Sequence, residues 1–423
     1  MNLGLRYLPN GVRVLLVPIP GVQSIAVGVY IGAGSREESW ETNGIAHFLE
    51  HMVFKGTKKF PTRKQTSILE GYGSIQNGYT YSETTAYWAK TPADKWKLGL
   101  EVQKDLALYP LLRKNDLEKE RGVILEEIHR RDDAPEDKVW EIFYNMRFPN
   151  QSLGWSTLGR PEVIERVNRD SFAQFHQKNY VSSNLAVVAA GKIGKESEIL
   201  KQIEEWFGDL PKKSGSRRKR PKASIGAKVS LFSKMDAKQA HFVLGVSTFD
   251  LHDERQYALM VLNRILGFGT SGRLFTSVRD KRGLAYAVYS DYELEGDHGY
   301  WAAYSGVRLE KTEEAIRAVL EELRRIAEKK VPAQEFMKAK EKVRGPMLFA
   351  AEDPHMQMEF YAKQVLWRPN NIKTIGEVIN RVMEVTAEDV QRVAREFFVP
   401  ERLNLAIVGP FSDKSKFEKL LKI

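Results

Sequence analysis

The chain contains no cysteine among its 423 residues. Disulfides and thiolate ligands are thereby excluded, so any metal would have to rest on histidine, aspartate or glutamate. A reducing compartment, the cytoplasm, is the expected home. Nor is there an apolar run near the ~18 residues that a membrane-spanning helix needs. The longest candidates, such as "NLAVVAA" at Asn184–Ala190, have the length of buried strands. The opening "MNLGLRYLPNGVRVLLVP" lacks a charged head, an apolar stretch and a small-residue cleavage site, so no signal peptide is expected. Acidic residues are in deficit, 55 against 65 lysines and arginines, for a net charge of +10. That excess is local. "PKKSGSRRKRPK" (Pro211–Lys222) holds seven basic residues and no acidic one, which leaves 10 − 7 = +3 for everything else. A basic run among Pro, Ser and Gly reads as a solvated linker rather than a nucleic-acid patch. Neither a nucleic acid nor a membrane is an expected partner.

What is present is a soluble composition, 42% hydrophobic and 28% charged, in a chain long enough for two or three domains. The basic segment divides it into halves that resemble each other. "VNRDSFAQFHQKNYVSSNLAVVAAG" (Val167–Gly191) and "VTAEDVQRVAREFFVPERLNLAIVG" (Val385–Gly409) have one length and lie 218 residues apart. Each reads as a capped amphipathic helix, an aromatic residue with Val, a polar turn, an apolar strand and a Gly. A weaker echo joins "QSIAVGVYIGAGSREES" to "QAHFVLGVSTFDLHDER". A repeat of this length implies a duplicated domain rather than a solenoid. The expected division is 1–211 and 228–423 around a linker at 212–227. In the first half "GVRVLLVPI", "QSIAVGVYI" and "SETTAYWAKT" read as strands, with helices at Ile45–Phe54 and Leu117–Arg131 and a strand at Leu185–Ala190. The hairpin-like start and clustered helices predict an α+β fold: two homologous domains, each a mainly antiparallel sheet packed with helices, rather than a doubly wound sheet.

The densest chemical signal is "GIAHFLEHMVFKGT" (Gly44–Thr57). Helical spacing puts His47 and His51 one turn apart on one face, where both imidazoles can reach one ion. Glu50 borders that face and can reach a water there without binding the metal. H-x-x-E-H is a zinc-peptidase spacing, and a catalytic zinc site needs a third protein ligand. "NDLEKERGVILEEIHRRDD" (Asn115–Asp133) offers carboxylates. On a helix burying Leu117, Ile124 and Ile128, Glu120 and Glu127 fall together at the border of the apolar face, whereas Glu126 and His129 point to solvent. Helical geometry leaves Glu120 and Glu127 both open as the ligand. "GFGTSG" (Gly267–Gly272) matches a dinucleotide-binding fingerprint, but "QYALMVLNRIL" before it has a helix's period, not a strand's, so a nucleotide-binding oxidoreductase is disfavoured.

The H-x-x-E-H motif, followed by a Glu inside "ER..IL.E", resembles the M16 metallopeptidases, the pitrilysin and mitochondrial processing peptidase family, over essentially the whole chain. The resemblance implies that His47, His51 and Glu127 bind one Zn²⁺ per chain, that Glu50 is the general base, and that Glu120 braces the ligands. "SIQNGYTYSETTAYWA" (Ser74–Ala89) is similar to the family's substrate-binding edge strand, with Asn77, Thr80 and Tyr87 in matching places and Gly78 where the family has Ala. In "SVRDKRGLAYAVYSDYE", Arg279 and Tyr286 resemble an Arg–Tyr pair that binds substrate, with Arg282 the lesser candidate. The implied function is a zinc endopeptidase acting on peptides or unfolded segments in a chamber, as a homodimer. The alternative is a non-catalytic scaffold subunit of the same fold.

Overall fold

The computed structural model describes residues 4–421 except 216, 217, 219 and 225. The ends of both expected domains and part of the 212–227 linker therefore lie outside the described residues. Among the described residues eleven strands form two sheets. The first contains β1 (Arg6–Tyr7), β2 (Arg13–Pro18), β3 (Ser24–Ile31), β4 (Ile75–Thr80), β5 (Thr85–Pro92) and β6 (Leu185–Gly191), in the order β1-β2-β6-β3-β5-β4. The second contains β7 (Lys228–Ser233), β8 (Gln239–Thr248), β9 (Ala285–Leu294), β10 (Gly299–Arg308) and β11 (Asn404–Gly409), in the order β7-β11-β8-β10-β9. Among the described residues only β2–β6 and β7–β11 pair in parallel. With β1 set aside, one order maps onto the other strand for strand. The duplication expected from the sequence is thus a duplication of topology.

The helices that matter here are α1 (Ile45–Val53), α2 (Trp96–Leu108), α3 (Lys114–Asp133), α4 (Pro135–Arg147), α5 (Arg169–Asn179), α6 (Gln256–Leu266), α7 (Pro354–Trp367) and α8 (Ala387–Phe397). Local chemistry sets several of their ends. Asn168 accepts from the Asp170 and Ser171 amides to start α5, and Thr386 accepts from the Asp389 amide to start α8. α6 is a helix, as its sequence predicts, so "GFGTSG" follows a helix rather than a strand and lacks a dinucleotide-binding context.

The chain forms two compact units that do not follow the linear halves. The first comprises Met1–Ile128, Ser156–Lys219 and Leu348–Thr374; the second comprises His129–Trp155, Arg220–Met347 and Ile375–Ile423. The reason lies in the sheets. All seven residues of β6 and all six of β11 are buried, and a strand buried on both sides needs a layer over each face. In the first unit α1, α2, α3 and α5 cover one face through Phe48, Leu49, Leu100, Leu106, Ile124 and Phe172. The other face is covered by α7, whose Met358, Tyr361, Ala362 and Val365 pack on Ala26, Tyr30 and Val188. In the second unit the corresponding layer is α4, with Val139 and Phe143 against Val243, Ala302 and Val408. Each sheet borrows one helix from the opposite half of the sequence.

The basic segment also departs from a solvated linker: the Lys213 amide donates to Ser182 Oγ at 3.1 Å, the Gly215 amide donates to Ser183 Oγ at 3.0 Å, and Arg218 is anchored as well. Arg218 stacks on Trp367 with its guanidinium 4.1 Å from the ring centroid. It donates to Glu37 Oε1 at 2.6 Å and to the Gly32 and Glu83 carbonyls at 3.1 and 3.0 Å. The buried carboxylates of Glu37 and Glu83 in the first unit need a cation near them, and the linker supplies one.

Candidate metal centre

α1 is only nine residues long, too short to be stable alone in water. It persists because Ile45, Ala46, Phe48, Leu49, Met52 and Val53 are all buried, at roughly 1.5–3 kcal/mol for each large side chain. The Phe48 ring meets that of Phe172 edge-on at 5.0 Å. With those positions committed to the core, His47, Glu50 and His51 are left half-buried on the remaining face. The two imidazole centroids stand 4.7 Å apart.

α3 brings the carboxylates. Glu120 and Glu127 are two turns apart on one side of it, Glu120 buried and Glu127 half-buried, while Glu126 and His129 are exposed. The two border positions, equivalent by helical spacing, differ in what they face. Glu127 Oε2 lies 3.8 Å from His47 Nε2 and 3.7 Å from His51 Nε2. Glu120 Oε1 instead lies 2.9 Å from His51 Nδ1, on the far side of that ring. A carboxylate on Nδ1 fixes the tautomer that leaves the Nε2 lone pair facing Glu127.

One donor atom from each of His47, His51 and Glu127 lies within 4.8 Å of the other two. Tetrahedral zinc with ligands at about 2.0–2.1 Å separates its donors by about 3.4 Å. The observed 3.7 and 3.8 Å are a few tenths beyond that, so this donor set fits zinc with small side-chain adjustments. Two imidazoles and a carboxylate leave a fourth position, as a catalytic rather than structural site requires.

The electrostatics follow from crowding three carboxylates and two imidazoles. Burial pushes the Glu50 carboxyl above its ordinary value, Glu127 adds to that, and Thr80 and His51 pull it down. The Thr80 hydroxyl makes no hydrogen bond of normal geometry, so its influence on Glu50 is that of a nearby dipole. Burial alone would lower His51; contact with Glu120, then the charges of Glu127 and Glu50, outweigh it and hold the imidazole above its usual value. Burial likewise works to raise Glu120, but His51 and Lys55 hold it below the usual carboxylate range.

Lys55, which sequence reasoning did not single out, makes an ion pair with Glu120 Oε2. The signal was available: Lys55 is four residues after His51, so the continuing turn carries it toward the same carboxylate.

The substrate-strand stretch is a hairpin. β4 is the edge of its sheet, and Asn77 on it is exposed, its Oδ1 accepting from the Gly78 amide at 2.9 Å. Tyr87 does not belong with Asn77 as a contact residue. It lies on the interior strand β5, fully buried, with its hydroxyl 3.1 Å from that of Tyr180. The alternation of the strand directs it into the core instead of toward a ligand. Thr80 is also buried. A Cβ at Gly78 would stand 3.0 Å from the Tyr87 ring and 3.1 Å from that of Phe54, so glycine lets these rings close against the strand.

Arg279 and Tyr286 belong to the second unit. Arg279 is exposed on a π-helical turn, Phe275–Asp280, with its guanidinium 5.0 Å from the Phe275 centroid. Such turns widen a helix locally and recur at functional sites. Tyr286 is 60% exposed on the edge strand β9, whereas Arg282 is tied to Glu321 at 2.5 Å. Among the described residues no helix is long and apolar enough to cross a membrane.

Comparison with known proteins matches residues 13–160 to the family described as insulinase (peptidase family M16) and residues 166–343 to the peptidase M16 inactive domain. An uncharacterized zinc protease of Bacillus subtilis is 34% identical over 401 residues, covering 95% of this chain and 97% of its own. One from Streptomyces coelicolor is 32% identical over 418 residues, covering 96% and 89%. Among solved structures, a protease from Helicobacter pylori superposes with a TM-score of 0.89 at 23% identity, covering 97% of this chain and 99% of that one. A peptidase M16 inactive domain from Pseudomonas fluorescens superposes with a TM-score of 0.88 at 18% identity, over 97% and 99%. These last two are likenesses of fold.

Proposed function

The chain belongs to the M16 peptidase family, and from that premise we propose that it is a zinc-dependent endopeptidase with its catalytic centre on α1 and α3. The observation that carries the proposal is the convergence of His47 Nε2, His51 Nε2 and Glu127 Oε2. Zinc held by these three residues would supply Lewis acidity, polarising a peptide carbonyl and making water nucleophilic at neutral pH. Relatives named zinc proteases support that choice of metal.

The remaining chemistry belongs to the chain. Glu50, next to the ligands but not among them, takes a proton from the attacking water and returns it to the departing amine nitrogen. Burial shifts its pKa upward, the direction that strengthens a carboxylate as a base. Glu120 orients His51 through Nδ1, and Lys55 keeps Glu120 ionised. β4 offers edge N–H and C=O groups to an extended chain, with Asn77 beside them, which demands little of the substrate's sequence. Peptides and unfolded segments are the proposed substrates, since only an extended backbone can add to such an edge. Arg279 and Tyr286 are proposed donors to the substrate's carbonyl oxygens. A second copy of the chain is the proposed partner, and light scattering on the purified protein tests for the dimer.

The decisive experiment for the activity is digestion of a mixed peptide library with and without a chelator, the products read by mass spectrometry. Cleavage that stops with chelator and with Glu50→Gln is the expected result. Cleavage unchanged in Glu50→Gln, or none by the zinc-loaded wild type, would restore the non-catalytic scaffold.

A further inference from the structure

α1 begins without a cap of its own. Its N-cap residue is Gly44, held at φ 97°, which has no side chain to accept from the first turn. No other residue fits there. A Cβ at Gly44 would lie 2.6 Å from the Cα of Gly159, and one at Gly159 would lie 2.5 Å from the Cα of Gly44. The two backbones cross in contact, and both glycines have positive φ. Yet the first amides of a helix need acceptors, and here they are shielded from water.

Glu38 supplies them from outside the helix. Its Oε2 accepts the Gly44 amide at 2.8 Å and the Asn43 Nδ2 at 2.9 Å, and its Oε1 accepts the Ala46 amide at 2.9 Å. Asn43 is fixed in turn by donating to the Ser156 carbonyl at 3.0 Å. Glu38 is only 7% exposed. Burial outweighs the downward pull of these three hydrogen bonds and leaves its carboxyl raised to about 8. All three neighbours are donors, so the ionised carboxylate is the form that satisfies them, and the positive end of the helix favours the same form.

We propose that Glu38 is a positioning residue for the metal centre: its carboxylate sets the first turn of α1 and with it the aim of His47. This rests on the zinc-peptidase proposal for the same site. His47 is the third residue of the helix, directly after Ala46, whose amide Glu38 holds. The opposite end of the ligand pair is braced separately, His51 by Glu120 and Glu120 by Lys55. Glu38 therefore does for His47 what Glu120 does for His51, but through the backbone rather than through the ring.

The test is Glu38→Gln, which keeps the size but turns an N–H donor toward one of the three donors. The neighbouring Glu37→Gln serves as control, because Glu37 accepts from Arg218 and the Gly34 amide, whereas the α1 amides donate to Glu38. Three quantities are measured on each zinc-loaded protein: zinc release to a chromogenic chelator, kcat against KM, and Tm. In the metal-free proteins, hydrogen exchange at residues 44–48 is compared. The expected result for Glu38→Gln is zinc release faster by on the order of 10- to 100-fold. Its kcat should fall with KM little changed, and exchange should be faster at residues 44–48. Glu37→Gln should lower Tm without faster zinc release. Should Glu38→Gln not fold, Glu38→Asp, which keeps the charge but is too short to reach both helix amides, is read in the same way. The proposal is overturned if Glu38→Gln loses Tm as Glu37→Gln does while zinc release and kcat stay within twofold of wild type. A wild-type chain that binds no zinc would overturn this inference and the proposed function together, so the two failures are told apart by wild-type metal content.

Discussion

Two helices of this molecule hold the same place in the same topology. α1 follows β3 and precedes the edge strand β4; α6 follows β8 and precedes the edge strand β9. α1 commits six of its nine residues to the core and leaves His47, Glu50 and His51 on a half-buried face. α6 buries Gln256, Tyr257, Ala258, Leu259, Val261, Leu262, Asn263, Ile265 and Leu266, nearly its whole circumference. The 218-residue offset of the matched helix–strand segments sets Ile265 and Gly269 against His47 and His51, but α6 ends at Leu266 and Gly269 lies beyond it with φ at 69°. The second helix has neither the donors nor the i,i+4 face on which to mount them. Duplication copied the scaffold, and the chemistry resides in which side chains one short helix leaves uncovered.

The comparison is broken most completely by removing a ligand. Glu127→Ala should lose both bound zinc and peptide hydrolysis, and chelation of the wild type should do the same reversibly; metal analysis beside a peptide assay checks each. Next in size is Glu50→Gln, for which kcat should fall by about 10²–10⁴ with zinc retained. That split between activity and metal content distinguishes the base from a ligand.

Lys55→Met leaves Glu120 without its cation and should speed zinc release by up to about 10-fold, measured by chelator competition. A smaller change is expected of the pH profile. The Glu50 carboxyl is held above its ordinary value by burial, against the pull of Thr80. Since the base must be ionised, kcat/KM should be lost as pH falls through that raised pKa. Thr80→Val removes the pull and should move the acid limb to higher pH. The smallest effect sharpens the comparison from the other side. Ile265→His with Gly269→His should leave zinc content unchanged, because residue 269 is outside the helix.

How much of this was legible in the sequence follows from what each signal encodes. The pairing of His47 with His51 needs only the helical period. The fold class needs only strand alternation, helix period and the repeat, all local or translational features. Glu120 and Glu127 could not be separated that way, since two turns of helix make them equivalent; what separates them is which side of His51 each reaches. The resemblance to a substrate-binding strand takes in Asn77 and Tyr87 together, whereas the hairpin puts Tyr87 on an interior strand and Asn77 on the edge. The exchange of α4 and α7 was not legible either. An apolar stripe such as Met358, Tyr361, Ala362 and Val365 says that a helix is covered, not which sheet covers it. Arg218 was read by its neighbours in a basic run, but it finds the acids Glu37 and Glu83 only in the folded first unit.

The most direct measurement is anomalous diffraction at the zinc edge on crystals of the metal-loaded protein. One zinc ion is expected, bound by His47 Nε2, His51 Nε2 and a Glu127 carboxylate oxygen at about 2.0–2.2 Å, with Glu120 on the outer nitrogen of His51. Zinc bound elsewhere, or no anomalous peak among these three side chains at saturating metal, would contradict the account.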